Sequence, residues 1–349
     1  MNNELKKRVR PINESNYFSI KPPIPVRNFL VEISNYCNNK CIFCANRKMT
    51  RKRGHIKPAL LKKILNDAYN EGVREVGFYT TGEPLLNDSL YDYVRLAKGI
   101  GYTYIYITTN GILADLSRMK LLINAGLNSV KFSINACSSS EYKFINGSDN
   151  FDIVIRNLKK VYNYKKSSGS LIRIFVSYIA TKYTYKTEKE IKTFFKHLCD
   201  DVLIVNVRNQ SGLVPEIEHL YINDKHFVRG QRQLPCFYPF FSINVSYEGY
   251  LSACCSDFQN FLSYADLNKI NIREGWNNSI IRSLRQKHIE KNVEGTLCYN
   301  CIYNVLEKPK PLNSKLSTDF NEKEMFNSKL VEQRIAEFLY QKGETTWNL

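Results

Sequence analysis

The sequence predicts an α/β protein built as a partial (β/α)6 barrel, followed by a small domain made of a β-hairpin and a helix. Three observations support this fold. Short runs rich in β-branched and aromatic residues alternate six times with segments whose apolar residues have helical spacing. Parallel strands need helical crossovers, so the alternation indicates a parallel sheet. Six units are fewer than the eight of a closed TIM barrel, so we expect a TIM-like barrel that stays open.

A predicted helix separates each predicted strand from the next, as a β/α repeat requires. The strands are expected at 29–34, 75–81, 102–109, 129–134, 172–179 and 201–207. The helical patterns between them cover 58–72, 89–101, 116–126, 151–166 and 188–200. Several of these patterns end in glycine, which is typical of helix C-termini. We therefore place the barrel at 28–215, after an N-terminal extension at 1–27.

After residue 215 the repeat stops and a second pattern begins. Residues 240–258 are typical of a β-hairpin that turns at Glu248-Gly249, and a basic helix is predicted at 280–290. We assign this second domain to 216–308. A linker is expected at 308–315, and an amphipathic helix at 322–343 lies within a C-terminal tail at 309–349.

Composition excludes several classes of protein. The apolar fraction of 43% is that of an ordinary globular chain. No apolar run approaches the ~20 residues that span a bilayer, so no membrane partner is expected. The first residues carry a basic patch without a following apolar segment, so we expect no signal peptide and a cytoplasmic, reducing setting. In that setting the ten cysteines are expected to be metal ligands or reactive thiols.

The chain is basic, with 50 Lys and Arg against 33 Asp and Glu and a formal charge of +17. Such a charge suits an anionic partner, either nucleic acid or a substrate that carries phosphates. The basic residues are scattered except at 46–57, and no nucleic-acid-binding fold signature is present. We therefore expect a solvated basic surface, and leave room for a nucleotide-linked substrate.

Three cysteines follow the first strand with the spacing Cys37-x3-Cys41-x2-Cys44. Ligand chemistry in α/β barrels takes place at the C-terminal ends of the strands, where this loop begins. Three thiolates can hold three irons of a [4Fe–4S] cube and leave the fourth iron open to a small molecule. A structural zinc ion with His55 as the fourth ligand is the alternative.

This pattern resembles the radical S-adenosylmethionine (SAM) superfamily. The spacing follows a first strand, and the aromatic Phe43 precedes the last cysteine. Residues 80–84, TTGEP, resemble the family's Gly-Gly-Glu-Pro element, with Thr81 in place of the first glycine. TTNG at 108–111 and FSINA at 132–136 end the third and fourth strands. The resemblance covers about residues 28 to 308.

The resemblance implies a SAM molecule chelated to the open iron. Glu83 would pair with the methionine ammonium, a charge-assisted contact, and Gly82 would let backbone approach the ligand closely. Phe43 would lie along the adenine. For Ser133, Asn135 and Lys143 the alternative is ordinary capping or surface chemistry. The remaining candidate SAM contacts are Thr81, Pro84, Asn110, Ser133 and Asn135 near strand ends, and Lys143 as a candidate to meet the SAM carboxylate.

Four further cysteines form a second set in the C-terminal part of the chain. Cys236-x12-Gly249-x4-Cys254, followed by Cys298-x2-Cys301, resembles the shortened SPASM or twitch domain. The resemblance implies an auxiliary [4Fe–4S] cluster with four thiolate ligands and no open iron. A four-cysteine zinc ribbon uses the same ligands. Cys255, beside Cys254, is an alternative ligand.

The family's chemistry is reductive cleavage of SAM to a 5′-deoxyadenosyl radical, which abstracts hydrogen from the substrate. The overall layout resembles twitch-bearing dehydrogenases that act on an aminocyclitol alcohol. We therefore expect oxidation of a secondary alcohol in a sugar or cyclitol, with a flavodoxin- or ferredoxin-type electron donor. Arg208, at the end of the sixth strand, is a candidate substrate contact.

Two other functions stay open. One is a radical SAM epimerase of a sugar or peptide, in which a thiol returns hydrogen to the substrate radical. Cys137, just beyond the fourth strand, and Cys255 are the candidate donors, although free cysteines usually only pack. The other is a basic zinc protein that binds nucleic acid. This second alternative explains the cysteines and the charge, but not the β/α repeat.

Overall fold

The computed structural model describes residues 18–25, 27–222, 234–303, 305–318 and 329–343. A single sheet forms its centre. The strands are β1 Phe29–Val31, β2 Glu75–Gly77, β3 Tyr104–Thr109, β4 Ser129–Ser133, β5 Arg173–Ala180, β6 Asp201–Asn206, β7 Ile243–Val245, β8 Tyr250–Ser252 and β9 Ser263–Asp266. Their order across the sheet is β6-β5-β4-β3-β2-β1-β7-β8-β9.

The helices cover the outer face of the barrel and then build the C-terminal part. Those of the barrel are α1 Pro58–Asn70, α2 Leu90–Ile100, α3 Leu116–Ala125, α4 Ser139–Asn146, α5 Phe151–Ser168 and α6 Glu188–Phe195. Those that follow are α7 Tyr238–Phe241, α8 Ile272–Trp276, α9 Ser279–Ile289, α10 Leu297–Tyr303 and α11 Lys329–Gln341. Among the described residues, every helix is too short or too polar to cross a lipid bilayer.

The predicted fold class is confirmed. Strands β1 to β6 pair in parallel with their sequence neighbours, and β6 forms an edge, so the barrel is open. The predicted glycine ends are also present. Gly101 and Gly126 follow α2 and α3 with φ of 116° and 109°, a left-handed conformation that residues with a Cβ rarely adopt.

Two strands are shorter than predicted. β1 and β2 end at Val31 and Gly77, whereas the apolar pattern extends to residues 34 and 81. The residues beyond each strand are buried because other loops cover them: Ile33 is 1% exposed and Phe78 is 0% exposed. Helix α4 was not predicted. Its N-cap is Ser138, whose side chain accepts a hydrogen bond from the Glu141 N–H.

The C-terminal hairpin is joined to the barrel through one sheet. β7 and β8 are antiparallel and turn at Glu248-Gly249, as predicted. β7 also pairs in parallel with β1, with Leu30 opposite Asn244. The hairpin therefore extends the barrel sheet beyond β1 instead of forming a sheet of its own. The predicted basic helix corresponds to α9, and β9 is an additional strand that the sequence pattern did not reveal.

A buried ion pair reinforces this junction. Arg51 is 3% exposed, and its guanidinium contacts Glu32, next to β1, at 3.0 Å and Glu248 in the hairpin turn at 2.7 Å. Burial opposes the charge on Arg51, but the two carboxylates outweigh it and raise the pKa of Arg51 above its ordinary value. Because one cation serves both carboxylates, loss of Arg51 would leave two negative charges in a poorly solvated place.

Both terminal segments pack on the body of the protein where they are described. The Pro22 carbonyl accepts a hydrogen bond from the indole N–H of Trp276 at 3.0 Å. At the other end, Phe338 of α11 stacks on Phe144 of α4 with ring centroids 4.3 Å apart. The predicted helix at 322–343 begins at Lys329 in the described part, and 322–328 lie outside the described residues.

Candidate active site

The first three cysteines lie together on the loop that leaves β1. Cys37, Cys41 and Cys44 are each partly buried, and no disulfide forms. Burial raises the pKa of Cys37 to about 12, and the neighbouring Cys44 thiol adds to the shift. Burial, Cys44 and Cys37 together raise the pKa of Cys41. Thiols brought this close to one another and withdrawn from water are suited to a cationic cluster that neutralises their thiolates, as iron does.

Backbone and side-chain donors hold the loop and one of its sulfurs. The Cys44 Sγ accepts a hydrogen bond from the Asn46 N–H at 3.4 Å. The Asn46 amide in turn donates to the carbonyls of Asn35 at 3.0 Å and Thr81 at 2.9 Å. Arg53 donates to the Asn35 carbonyl at 2.6 Å and to the Asn46 carbonyl at 2.7 Å. These bonds tie the cysteine loop to the loop that follows β2.

Glu83 is a buried carboxylate beside this loop. It is 2% exposed, so it is not a solvated loop residue. Its Oε1 accepts from the Thr109 hydroxyl at 2.8 Å and the Leu85 N–H at 3.0 Å, and its Oε2 accepts from the Asn110 N–H at 2.6 Å. Burial raises the pKa of Glu83 to about 7, against these hydrogen bonds. A cation placed next to it would stabilise the ionised form.

Gly82 serves the packing of two backbone segments. A Cβ at this position would lie 2.3 Å from the Ser34 carbonyl oxygen and 2.6 Å from that of Tyr36. The next residue, Glu83, donates its N–H to the same Tyr36 carbonyl at 2.7 Å. The glycine therefore allows the Glu83 loop to lie directly against the segment that leads into Cys37. The expected contact between Gly82 and a ligand stays a prediction.

The other candidates around the first loop are placed as follows. Asn110 donates to the Asn38 side chain at 2.6 Å, and its side chain also hydrogen-bonds to Cys37. Phe43 is 7% exposed and packs in the hydrophobic core. Pro84 opens a short 3-10 turn, Pro84–Leu86. The structure thus brings Glu83, Asn110 and the cysteine loop together.

The candidate SAM contacts at and beyond the end of β4 have different surroundings. Ser133 and Ser177 are opposite in register, and their hydroxyl oxygens lie 3.2 Å apart. Asn135 is 1% exposed, and its Oδ1 accepts from the Ile179 N–H at 3.0 Å, which is the capping role given as its alternative. Lys143 is exposed and pairs with Asp149 at 3.3 Å. The SAM contacts proposed for these three stay predictions.

The second set of cysteines lines one apolar cavity. Cys236, Cys254, Cys298 and Cys301 all contribute to its wall, together with Leu262, Leu297 and Ile302. Each of the four is at most 9% exposed. The Cys254 Sγ accepts a hydrogen bond from the Ser256 N–H at 3.4 Å. Cys255 is not part of this wall, so the geometry favours Cys254 as the ligand.

His288 supplies an unpaired donor to the same cavity. It is 0% exposed, and its Nδ1 accepts a hydrogen bond from the Cys236 N–H at 3.2 Å. Because Nδ1 is an acceptor, a neutral ring carries its proton on Nε2. That Nε2 has no partner in the part of the chain that the structure describes, although buried donors are almost always paired. A cluster sulfur in this cavity would supply the missing acceptor, which fits an iron–sulfur group.

The arrangement gives no support to the zinc alternatives. Among the described residues, no three His, Cys, Asp or Glu side chains are grouped to hold a single metal ion. His55, the proposed fourth ligand of the first loop, is exposed and packs its ring on Tyr36 with centroids 5.1 Å apart. In a cube each thiolate binds a different iron, whereas in a zinc site all four thiolates bind the same ion.

A cavity of about 140 Å³ lies inside the barrel and reaches the second cysteine set through Cys255, the neighbour of Cys254. Tyr79 and Thr108 form part of it near the ends of β2 and β3, and Cys255 lines it beside the second set. Gly77 makes room for one wall, because a Cβ there would lie 2.6 Å from the Tyr106 ring. The rest of the lining is Asn28, Leu30, Glu75, Tyr104, Tyr106, Ile107, Ser129, Lys131, Phe175, Phe237, Tyr238 and Ser242.

The three tentative catalytic residues occupy different places. Cys255 lines the barrel cavity, whereas Cys137 does not. Cys137 lies beyond β4, where its N–H donates to Glu141 at 2.9 Å, and burial raises the pKa of its thiol to about 12. Arg208 is exposed and lines a separate groove along β6. Of the three, only Cys255 is in the wall of the barrel cavity.

Sequence reasoning missed the structural use of the basic run at 46–57. Arg47 and Lys48 both pair with the buried Glu216, and Arg51 and Arg53 hold the loops described above. A regular helical or strand period in the sequence reveals which side chains face inward. A loop has no such period, so the pattern gave no indication. Lys131 was also missed, because it alternates with the apolar Val130 and Phe132, a pattern that predicts a solvent-facing side chain.

Comparisons with known proteins agree with this geometry. Residues 31–197 match the radical SAM superfamily, and residues 236–302 match an iron–sulfur cluster-binding domain, SPASM. A probable GTP 3′,8-cyclase of Methanothermobacter thermautotrophicus is 34% identical over 125 residues, 36% of this chain and 40% of that protein. Matches to the curated relatives span from 39% to 64% of their length.

Solved structures show the same fold. BtrN in complex with AdoMet and 2-DOIA has a TM-score of 0.52 and 18% identity, over 84% of this chain and 96% of BtrN. SuiB of Streptococcus suis bound to precursor peptide SuiA has a TM-score of 0.61 and 15% identity, over 85% of this chain and 77% of SuiB. The chain therefore belongs to the radical SAM superfamily, carries a SPASM iron–sulfur domain after its barrel, and is an enzyme of S-adenosylmethionine and two [4Fe–4S] clusters.

Proposed function

We propose that this radical SAM enzyme oxidises a secondary alcohol of a small sugar or cyclitol to a ketone. Cys37, Cys41 and Cys44 hold the cluster that binds SAM. The auxiliary cluster is held by Cys236, Cys254, Cys298 and Cys301. When bound, SAM and its cluster supply a 5′-deoxyadenosyl radical that removes a hydrogen atom from the substrate carbon. The protein binds and orients the substrate and excludes water around it.

The barrel cavity is the observation that carries this proposal. Its volume of about 140 Å³ is close to that of an engineered cavity, about 150 Å³, which accommodates one benzene ring. Tyrosine rings and hydroxyls line it, which suits a ring that carries several hydroxyl groups. Cys255, next to a ligand of the auxiliary cluster, is in its wall. A substrate here lies close to a cluster with no open iron, which suits removal of an electron.

Residues outside the lining of the cavity also have distinct roles in this proposal. Glu83 faces the methionine ammonium of SAM, and Asn110 fixes both the Glu83 carboxylate and the cysteine loop. Arg51 ties the barrel to the hairpin turn through its ion pairs with Glu32 and Glu248, and so helps to hold the segment of Cys254 and Cys255 against the barrel. The fold of BtrN, whose structure holds AdoMet and 2-DOIA, supports the same layout at the level of the fold.

A nucleotide triphosphate is the competing substrate class, raised by the relatives named GTP 3′,8-cyclase. Two observations weigh against it. The cavity has room for about one ring, and Lys131 is the single Lys or Arg in its described lining. A triphosphate normally needs several cationic or backbone donors.

Epimerisation is the second candidate, because the Cys255 thiol lines the cavity and could return hydrogen to a radical there. Cys137 lacks that position. This distinction is sharper than the sequence allowed, since both thiols follow strand ends.

One experiment tests oxidation against epimerisation. The reconstituted enzyme is incubated in heavy water with SAM, a reductant and a panel of cyclitols and sugars, and the products are analysed by mass spectrometry. We expect a product lighter by two hydrogens, without solvent deuterium on carbon, and the same product from Cys255→Ala and Cys137→Ala. An isomer that gains a single deuterium, and that Cys255→Ala alone fails to form, would replace oxidation by epimerisation.

A further inference from the structure

Lys131 is the single Lys or Arg in the described lining of the barrel cavity. It projects from the middle of β4, with Thr108 of β3 and Phe175 of β5 opposite it in register. Its Nζ lies 5.5 Å from the centre of the Tyr79 ring. The other titratable side chains in the lining are Glu75, Tyr79, Tyr104, Tyr106, Tyr238 and Cys255.

No carboxylate pairs with Lys131 within the described ranges. The influences on its ionisation are burial and the Cys255 thiol. Glu75 is the acidic residue of the lining, but it is aligned with Tyr104, four residues before Thr108 on β3. Four residues of a strand span about 13 Å, and Glu75 pairs with Arg27 at 3.5 Å. The lysine is therefore a cation in a cavity wall without a counterion, an arrangement that is unfavourable unless a ligand supplies one.

Hydroxyl groups lie near Lys131, among the apolar side chains of the same lining. The Tyr104 hydroxyl donates to Ser129 at 2.8 Å, and Thr108 hydrogen-bonds to the Tyr79 hydroxyl. Ser133 and Ser177 lie one inward-facing position above Lys131, toward the ends of the strands. Glu83 and Asn110, which belong to the SAM side, are also at strand ends.

We propose that Lys131 binds an oxyanion of the substrate, a carboxylate or a phosphoryl group, and that the substrate is an anionic polyol. The oxyanion lies at Lys131, deep in the barrel, and the carbon that reacts points up toward the strand ends and SAM. This inference rests on the proposed function, since it names the substrate class of the same cavity. It adds a polar anchor that sets which end of the substrate meets the radical.

The test reads Lys131 directly and needs neither turnover nor SAM. Lysines of the reconstituted protein are reductively methylated with 13C-formaldehyde, and the signal missing from Lys131→Met is assigned to Lys131. Sodium acetate and sodium sulfate are then titrated separately, as probes for a carboxylate and for a phosphoryl group. We expect the Lys131 signal to shift saturably with at least one of them, and the more effective anion indicates the substrate's group.

The pH dependence gives a second readout. Burial lowers the pKa of Lys131 to about 8, so its cationic fraction falls about tenfold between pH 7 and pH 9. Neither acetate nor sulfate changes its charge over this range. The affinity of Lys131 for the anion should therefore fall about tenfold over the same range, and the bound anion should raise the pKa of Lys131.

Matched variants complete the design. Lys131→Arg keeps a cation and should retain anion protection against thermal unfolding, whereas Lys131→Met should lose it. Lys269→Met, which removes a lysine with a 79% exposed side chain, should behave as wild type. A Lys131 signal that ignores both anions, or equal anion protection in Lys131→Met, would overturn the oxyanion site. Neither result bears on whether an alcohol is oxidised, which the mass of the product decides separately.

Discussion

The two cysteine sets, which we propose hold the same kind of cluster, lie in opposite surroundings. The first set lies on a partly buried loop among polar groups, with Arg53, Asn46 and Asn110 around it. The second set is buried in an apolar cavity closed by leucine and isoleucine side chains. The difference matches their chemistry, because one cluster must admit a charged, polar ligand and the other must only exchange electrons.

The two sets also differ in the number of thiols that they supply to a cluster. The first loop supplies three thiols, and the buried carboxylate of Glu83 stands beside it to meet a cation. The second cavity supplies four thiols and a His288 N–H that has no partner among the described residues. In our proposal SAM completes the first site, whereas the protein alone completes the second. Each prediction below alters one side of this comparison.

The largest effect is expected when the three thiols of the first loop are removed together. Cys37→Ala/Cys41→Ala/Cys44→Ala should lower the iron of the anaerobically reconstituted protein from about eight to about four per chain. Reductive cleavage of SAM should be abolished, because no open iron is left to bind it. Iron analysis and quantification of 5′-deoxyadenosine check both. Retained cleavage would contradict the assignment of this loop.

An intermediate effect is expected at Glu83. Loss of a charge-assisted contact costs about 1.5–3 kcal/mol, so Glu83→Gln should weaken SAM binding roughly ten- to a hundred-fold. The amide keeps the shape of the carboxylate and can still accept from Thr109 and Leu85, so the iron content should be unchanged. Equilibrium binding of SAM measures the change, with Asp88→Asn, at an exposed carboxylate nearby, as the control. Wild-type affinity in Glu83→Gln would refute the ammonium contact.

The smallest of the three effects is expected at His288. A hydrogen bond to a cluster sulfur stabilises the reduced state, so His288→Phe should lower the reduction potential of the auxiliary cluster. A bond worth about 1 kcal/mol corresponds to a shift on the order of 50 mV. Potentiometric titration followed by EPR measures the shift, and the first cluster serves as the internal reference. An unchanged auxiliary potential would show that the Nε2 proton does not meet the cluster.

The prediction of the barrel depended on the regular spacing of apolar residues. The six strands and five of the six barrel helices follow from apolar spacing, and the glycines at 101 and 126 end the helices that the pattern placed. Helix α4 was not predicted because its eight residues are too few to establish a period. The junction of β1 with β7 was not predicted for a different reason. Pairing between strands more than 200 residues apart depends on the closed tertiary structure and leaves no local signal.

The candidate site was predictable where the spacing of residues along the chain indicates ligands. Three cysteines within eight positions, and a carboxylate at a strand end, indicate ligands through their order along the chain alone. The supporting residues were not predictable in this way. Asn46 and Arg53 act through contacts with Asn35 and Thr81, which the chain brings together only in three dimensions. Lys131 belongs to no sequence motif, and its proposed role depends on the cavity that it lines.

The claim that the first site is open and the second is closed has one direct test. Two variants each retain one cluster: Cys37→Ala/Cys41→Ala/Cys44→Ala keeps the auxiliary cluster, and Cys236→Ala/Cys254→Ala/Cys298→Ala/Cys301→Ala keeps the other. Both are reduced, and their EPR spectra are recorded with and without SAM. SAM should change the spectrum of the variant that keeps the first loop and leave the other spectrum unaltered. A SAM-dependent change in the variant that keeps only the auxiliary cluster would contradict this claim.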